Sequence, residues 1–322
     1  MMTVFPAIDR AKSYSEERLV ALRERIANLV PASETVLTCG SYARREASTE
    51  SDIDFFVITQ QPDPTDGKHF EADALPWFDG LKAAINEVVP IGPAEGGAFS
   101  NVESRDAMLH NIGGEQDNNA KMTRRMLFLL EGEWLFNAEG LRAIRRQILE
   151  RYIGSGISDH QLALFLLNDI IRYYRTMAVD YEFKTGEGPT PKPWGIRNIK
   201  LIFSRKLLYA SGLFSVGKTA DRAWARKIDL LEALFDLPVI DRMVAICGQA
   251  KIEALLTSYD HFLQRLEEPH VRERLKNLKR ESREDPLFRE LKNEGHNFTR
   301  ELMKLFEETF DSTHPIHRAV IF

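Results

Sequence analysis

Residues 36–59 read VLTCGSYARREASTESDIDFFVIT, and this stretch constrains the fold more than any other part of the chain. Residues 36–39 are β-prone, Gly40-Ser41 breaks the strand, residues 42–46 suit a short helix, and residues 53–59 are strongly β-prone. A strand that ends in Gly-Ser and opens a helix offers free backbone N–H groups and the positive end of a helix dipole, which suits a phosphate. Asp52 and Asp54 stand two residues apart at the start of the next strand, so their carboxylates leave the same face. Two such carboxylates repel each other unless a cation sits between them, and the hard ion Mg2+ prefers oxygen ligands. The plain alternative is a hairpin-like surface with two solvated aspartates. Phe55-Phe56-Val57-Ile58 argues against it, because that run marks a buried strand on which bare acids are costly.

Gly40-Ser41, ten intervening residues, and Asp52-Ile53-Asp54 together resemble the signature of the DNA polymerase β-like nucleotidyltransferase superfamily. The intervening Ala43-Arg44-Arg45-Glu46 and Ser51 are similar to what many bacterial members show. The resemblance implies an α+β fold: a small mixed-sheet nucleotidyltransferase domain followed by an all-helical domain, with the active site in the cleft between them. It implies Asp52 and Asp54 as catalytic metal ligands for Mg2+, with Mn2+ as a substitute, and an NTP as substrate. It further implies a third carboxylate from a later strand. Glu95, Glu103 and Asp106 lie in the right region, and Glu103 follows the weak strand at residues 98–102 most closely. Gly40, Ser41 and Arg44 are the nucleotide-binding candidates in the motif.

With 322 residues the chain has room for two domains, each with its own core. Composition shifts near residue 110, which divides the chain into a catalytic part, 1–110, and a helical substrate-binding or regulatory part, 111–322. In the first part a capping box at Ser13 and Glu16 predicts a helix that ends before Pro31, and residues 88–91 predict a short third strand. Helices are expected at 70–87, 121–131, 140–152, 158–183, 196–211, 220–235, 239–267, 271–279, 286–293 and 299–310, with no convincing strand after residue 108. Ser158 and Gln161 supply a second capping box, for the helix at 158–183.

A net charge of −5 does not advertise a general nucleic-acid binder. The distribution is more informative, since no acid occurs between Glu187 and Asp221 while Lys192, Arg197, Lys200, Arg205, Lys206 and Lys218 do. Arg197 and Lys200 share a helical face and suit polyphosphate oxygens; the competing reading is a solvated surface. On the 158–183 helix, Asn168, Arg172 and Arg175 form a polar stripe beside an expected buried side of Leu164, Leu167, Ile171 and Tyr174. The stretch Ile112-Gly113-Gly114-Glu115-Gln116-Asp117, with Thr123-Arg124-Arg125 after it, is similar to the corresponding region of bacterial signalling nucleotidyltransferases of the uridylyltransferase-like branch. Arg124 or Arg125 could reach a phosphate there, or both could lie on a wet face. Arg265 and His270 have the spacing of an RNase pair found in some helical toxins, a spacing that a chain rich in arginine also yields by chance.

Cys39 and Cys247 are the two cysteines, which implies no disulfide framework and fits a reducing cytosol; Cys39 is expected as a small buried hydrophobe. The N-terminus lacks a secretory signal pattern and no run of 18 apolar residues exists, so the expected setting is cytoplasmic with no membrane contact. These readings converge on a nucleotidyltransferase that moves an NMP from an NTP to an acceptor protein, an RNA end or a small molecule. Two alternatives stand beside it: a catalytically inactive nucleotide-binding regulatory module, and an RNA-modifying toxin or defence protein.

Overall fold

The computed structural model describes residues 5–62, 75–92, 101–110, 112–186 and 191–321. Four strands, β1 (Thr35–Cys39), β2 (Asp54–Thr59), β3 (Asn101–Ser104) and β4 (Glu133–Phe136), form one mixed sheet in the order β3-β2-β1-β4. β1 is antiparallel to β2, with Cys39 opposite Asp54, and antiparallel to β4, with Leu37 opposite Trp134. β3 is parallel to β2, with Ile58 opposite Glu103. The fold class is α+β, as the sequence implies.

Two compact units make up the chain. The sheet unit comprises Ala11–Ser158 and Ala223–Pro238; the helical unit comprises Met1–Arg10, Asp159–Arg222 and Val239–Phe322. The composition shift at residue 110 therefore falls inside the sheet unit, because β4 follows it and still completes the sheet.

In the sheet unit, α1 (Pro6–Ile26) contributes Leu19, Leu22 and Ile26, and α3 (Phe78–Val88) contributes Phe78, Leu81 and Ile85, to a core with Val36, Phe55, Val57 and Val102. These strand residues alternate along the pleat, so they all point to one face. Leu37, Phe56 and Ile58 occupy the other face and are buried as well. α5 (Asn119–Glu131) and α6 (Ala138–Tyr152) pack against β1. A strand buried on both faces explains why Phe55-Phe56-Val57-Ile58 is a continuous apolar run. The short helices α2 (Gly40–Ala43) and α4 (Arg105–Leu109) follow β1 and β3.

The helical unit contains α7 (Leu164–Thr185), α8 (Trp194–Lys200), α9 (Lys206–Gly217), α11 (Val239–Cys247), α12 (Gln249–Glu267), α13 (Pro269–Asn277), α14 (Pro286–Thr309) and α15 (Ile316–Ala319). A π-helical turn, Leu201–Arg205, joins α8 to α9. α10 (Trp224–Phe235) returns to the sheet unit, where Arg145 of α6 pairs with Asp236 at 2.7 Å and Arg146 reaches Glu232 at 2.6 Å. Trp224 Nε1 donates to the Ile153 carbonyl at 2.7 Å.

Several expectations change. The first helix starts at Pro6 rather than at the Ser13 capping box, because Asp260 of α12 accepts from the Ala7 and Ile8 amides at 2.9 Å and caps the helix from afar. Residues 88–91 are not a strand: Val88 ends α3, and the Ile91 carbonyl accepts at 3.2 Å from the amide of Ile53, which lies just before β2. β4 lies where only helices were expected. α7 begins at Leu164 without a side-chain cap, so Ser158 and Gln161 do not open it. Its buried face holds Leu166, Leu167, Ile170 and Tyr173, whereas Leu164 is 47% exposed. The helix expected at 239–267 breaks at Gly248, whose φ of +86° is left-handed. The pieces expected at 286–293 and 299–310 form one helix. The helix expected from residue 70 and the strand expected from residue 98 begin outside the described residues.

Candidate active site

Gly40 opens α2 with a φ of +74°, a conformation that glycine adopts without steric cost. Its missing side chain also makes room. A Cβ at position 40 would lie 2.9 Å from Asp54 Oδ2, so the Asp54 carboxylate stands directly over the glycine turn. Thr38 Oγ1 donates to the Asp54 carbonyl at 2.7 Å and pins the start of β2 against the end of β1.

Asp52 and Asp54 are both half-exposed and flank Ile53, which is fully buried. This alternation is the one the sequence implies for two acids on one face. A tight turn presents them: the Ser51 amide donates to the Ser48 carbonyl at 3.0 Å, and Ser51 Oγ accepts from the Ser48 amide at 3.0 Å. Burial pushes the Tyr42 phenol well above its ordinary value; Tyr14 adds to this and the Asp52 carboxylate contributes a smaller push. Ser41, next to the glycine, is half-exposed.

Cys39 lies opposite Asp54 and is fully buried. Burial drives its thiol well above the usual range, with smaller pushes from Glu131 and Asp54, so the sulfur stays protonated and inert. It is a small packing residue, as expected.

The two arginines of the motif turn inward. Arg44 is buried and donates to Glu46 at 3.0 Å and to Glu131 at the end of α5. Arg45, at a φ of +62°, donates to Glu16 of α1 at 2.6 Å, to Glu133 of β4 at 2.7 Å and to the Ala43 carbonyl at 2.8 Å. Glu133 also accepts from Arg23 of α1 at 2.6 Å, and Arg23 lies 3.9 Å from the centre of the Trp134 ring. These pairs fasten the turn to α1, α5 and β4.

Glu103 is also committed elsewhere. It pairs with Arg124 of α5 at 2.7 Å, and both side chains are nearly buried. In the parallel β2–β3 register it lies across from Ile58, four residues beyond Asp54, or about 13 Å along the strand. Strand register therefore separates Glu103 from the acid pair. Asp106 lies within α4, where its amide donates to Ser104 Oγ at 3.1 Å, and Glu95 lies outside the described residues. Among the described residues no three His, Cys, Asp or Glu side chains form a metal-binding group. Two carboxylates on one face nonetheless fit a Mg2+ that arrives with a nucleotide, since such ions are commonly held by one or two carboxylates plus substrate phosphates.

Arg125, fully buried, donates to both oxygens of Asp117 at 2.7 Å and to Tyr152 Oη at 3.2 Å; Asp117 in turn accepts from the Gly113 amide at 2.9 Å. Asp117 and Arg125 thus form a buried pair beneath an otherwise exposed glycine-rich turn, and neither arginine lies on a wet face. Arg197 and Lys200 sit half-buried on α8 in the helical unit. Arg265 pairs with Glu268 and Glu290, while His270 is 80% exposed.

No helix among the described residues is long and apolar enough to cross a membrane. No curated protein matches this sequence. Residues 19–93 match the family model described as the nucleotidyltransferase domain, a segment that runs from within α1 through the glycine turn and both aspartates to just beyond α3. The acid pair over Gly40 lies inside this matched segment, so residues 19–93 are similar to a nucleotidyltransferase domain of the DNA polymerase β-like superfamily.

Proposed function

We propose that this protein is a metal-dependent nucleotidyltransferase that moves the NMP group of an NTP to an acceptor hydroxyl or related nucleophile on a protein, an RNA end or a small molecule. The observation that carries this reading is the placement of Asp54 over Gly40, with Asp52 beside it, inside the matched domain. The acceptor attacks the α-phosphorus and pyrophosphate leaves. Asp52 and Asp54 hold Mg2+, or Mn2+, which when bound neutralises charge on the phosphate oxygens. Gly40 lets backbone approach the phosphates closely, and the Ser41 hydroxyl donates to one of their oxygens. Arg44 and Glu103 take structural places in this reading, because each is buried against a charged partner. Catalysis then rests on positioning and electrostatics. Two unpaired, buried cysteines fit a cytosolic setting.

Incubating the protein with each radiolabelled NTP, Mg2+ and cell extract tests the reading. Transfer of label to a discrete acceptor, lost in Asp54→Asn, is the expected result. A nucleotide-binding regulatory module without catalysis is the second reading, favoured by the lack of a third acid near the pair among the described residues. It calls for saturable NTP binding with no labelled product under any condition.

A further inference from the structure

The helical unit contains a cavity of about 480 Å3 where the ends of α7 and α8 meet the start of α14. Two charge pairs on its rim are self-satisfied: Arg280 with Glu182, and Arg289 with Glu284 at 3.0 Å. Two further cations line it without a carboxylate. Arg283 makes no hydrogen bond or ion pair among the described residues, and the Lys292 ammonium lies 5.9 Å from the centre of the Phe288 ring. Burial chiefly pushes the Lys206 ammonium on α9 down, and Lys292 adds to this.

Aromatic and amide groups complete the lining. The Trp194 and Phe288 ring centres lie 4.7 Å apart, the rings tilted by 36°, and give the cavity an aromatic wall. Asn198 donates through Nδ2 to Tyr181 Oη at 2.8 Å, while its Oδ1 is shut from solvent with no hydrogen-bond partner. An acceptor left unsatisfied in this way is unfavourable, and turning the amide toward the cavity would let a ligand supply the donor.

We propose that this cavity binds a small phosphate-bearing ligand with a planar ring, in the chemical class of a purine nucleoside monophosphate. The phosphate lies between Arg283 and Lys292, a guanidinium fork and a point charge that both suit its oxygens. The ring lies along the Trp194–Phe288 wall, and its exocyclic amine donates to Asn198 after a rotation of that amide. The inference does not depend on the acid pair, because every lining residue belongs to the helical unit.

The test is calorimetric titration of the full chain with AMP in EDTA, which removes any divalent ion from Asp52 and Asp54. AMP is expected to bind saturably and at least tenfold more tightly than adenosine or inorganic phosphate. Arg283→Glu and Lys292→Met should each weaken it at least tenfold with the melting temperature unchanged, and Asp52→Asn should leave it as it is. Absence of AMP binding, wild-type affinity in both cavity variants, or loss of binding in Asp52→Asn overturns the proposal. Any of these failures leaves the NTP-labelling experiment unaffected, so the two readings fail separately.

Discussion

Gly40 and Asp54 occupy one another's space: the carboxylate of Asp54 fills the position that a side chain at residue 40 would need, 2.9 Å from an ideal Cβ. Gly40→Ala must therefore strain a backbone at φ +74° and displace the acid together. The strain alone costs about 1–3 kcal/mol. Denaturant unfolding should show that loss, and NTP-dependent labelling should fall at least a hundredfold. Retained labelling would show that the glycine does not set the position of Asp54.

Asp52→Asn and Asp54→Asn should each abolish Mg2+-dependent transfer. Both side chains are half-exposed, so the fold should survive, and relief of charge repulsion should keep the melting temperature at or above that of the wild type. Circular dichroism melts alongside the labelling assay check both halves of this expectation. Full activity in either variant removes the metal-site assignment.

Arg44 and Glu131 should behave as a structural pair. Removing one partner leaves a buried charge uncompensated, at a cost of about 3–5 kcal/mol. Arg44→Ala and Glu131→Ala should thus be strongly destabilised, and the double variant less so than the sum. A double-mutant cycle by urea unfolding measures the coupling. A nucleotide-contact role would instead raise the KM for NTP at unchanged stability.

Glu103→Gln should leave turnover within a few-fold of the wild type while lowering stability, because Glu103 pairs with Arg124 and lies about 13 Å along the sheet from Asp54. A fall in turnover by several orders of magnitude with stability intact would restore Glu103 as a catalytic acid.

Asp285 caps α14, accepting from the Leu287 amide at 3.0 Å and the Phe288 amide at 3.1 Å, and pairs with Arg274 at 2.7 Å. Partial burial pushes its carboxyl up, but Arg274 and the two amides outweigh that and hold it below its ordinary value. A depressed carboxyl stabilises the fold above its unfolded pKa, and the contribution fades as pH falls through the lower folded value. Asp285→Ala should cost about 0.5–2 kcal/mol at neutral pH. The gap from wild type should narrow below about pH 4. Melting curves across that range follow it.

What the sequence discloses and what it hides divide along the distance between partners. The β1–turn–β2 unit is legible because its causes are local: β-prone runs, a glycine needing positive φ, and acids spaced at two. The start of α1 is not, since Asp260 caps it from 253 positions away. Ser13 and Glu16 match a capping pattern yet sit inside a helix already begun. β4 is hidden for the same reason, because Glu133–Phe136 is a strand only through its pairing with β1. Arg44, Arg124 and Arg125 look like phosphate ligands in one dimension, and only their buried acid partners reveal otherwise. α14 runs unbroken through Gly295, where a Cβ would meet Ile202 at 2.4 Å, so this glycine serves close packing.

The alternation of the chain between its two units bears on how the protein is made. Synthesis proceeds from the N-terminus, and Asp236 and Glu232, the partners of Arg145 and Arg146, emerge only after Asp159–Arg222 has been laid down. The amides of the first turn of α1 wait longer still, for Asp260. A nascent polypeptide that has already exposed Asp52 and Asp54 thus lacks the last segment of the unit that carries them. Premature termination before residue 223 leaves Arg145 without its Asp236 partner, so ribosomal fragments should be cleared by proteolysis rather than accumulate with a working acid pair.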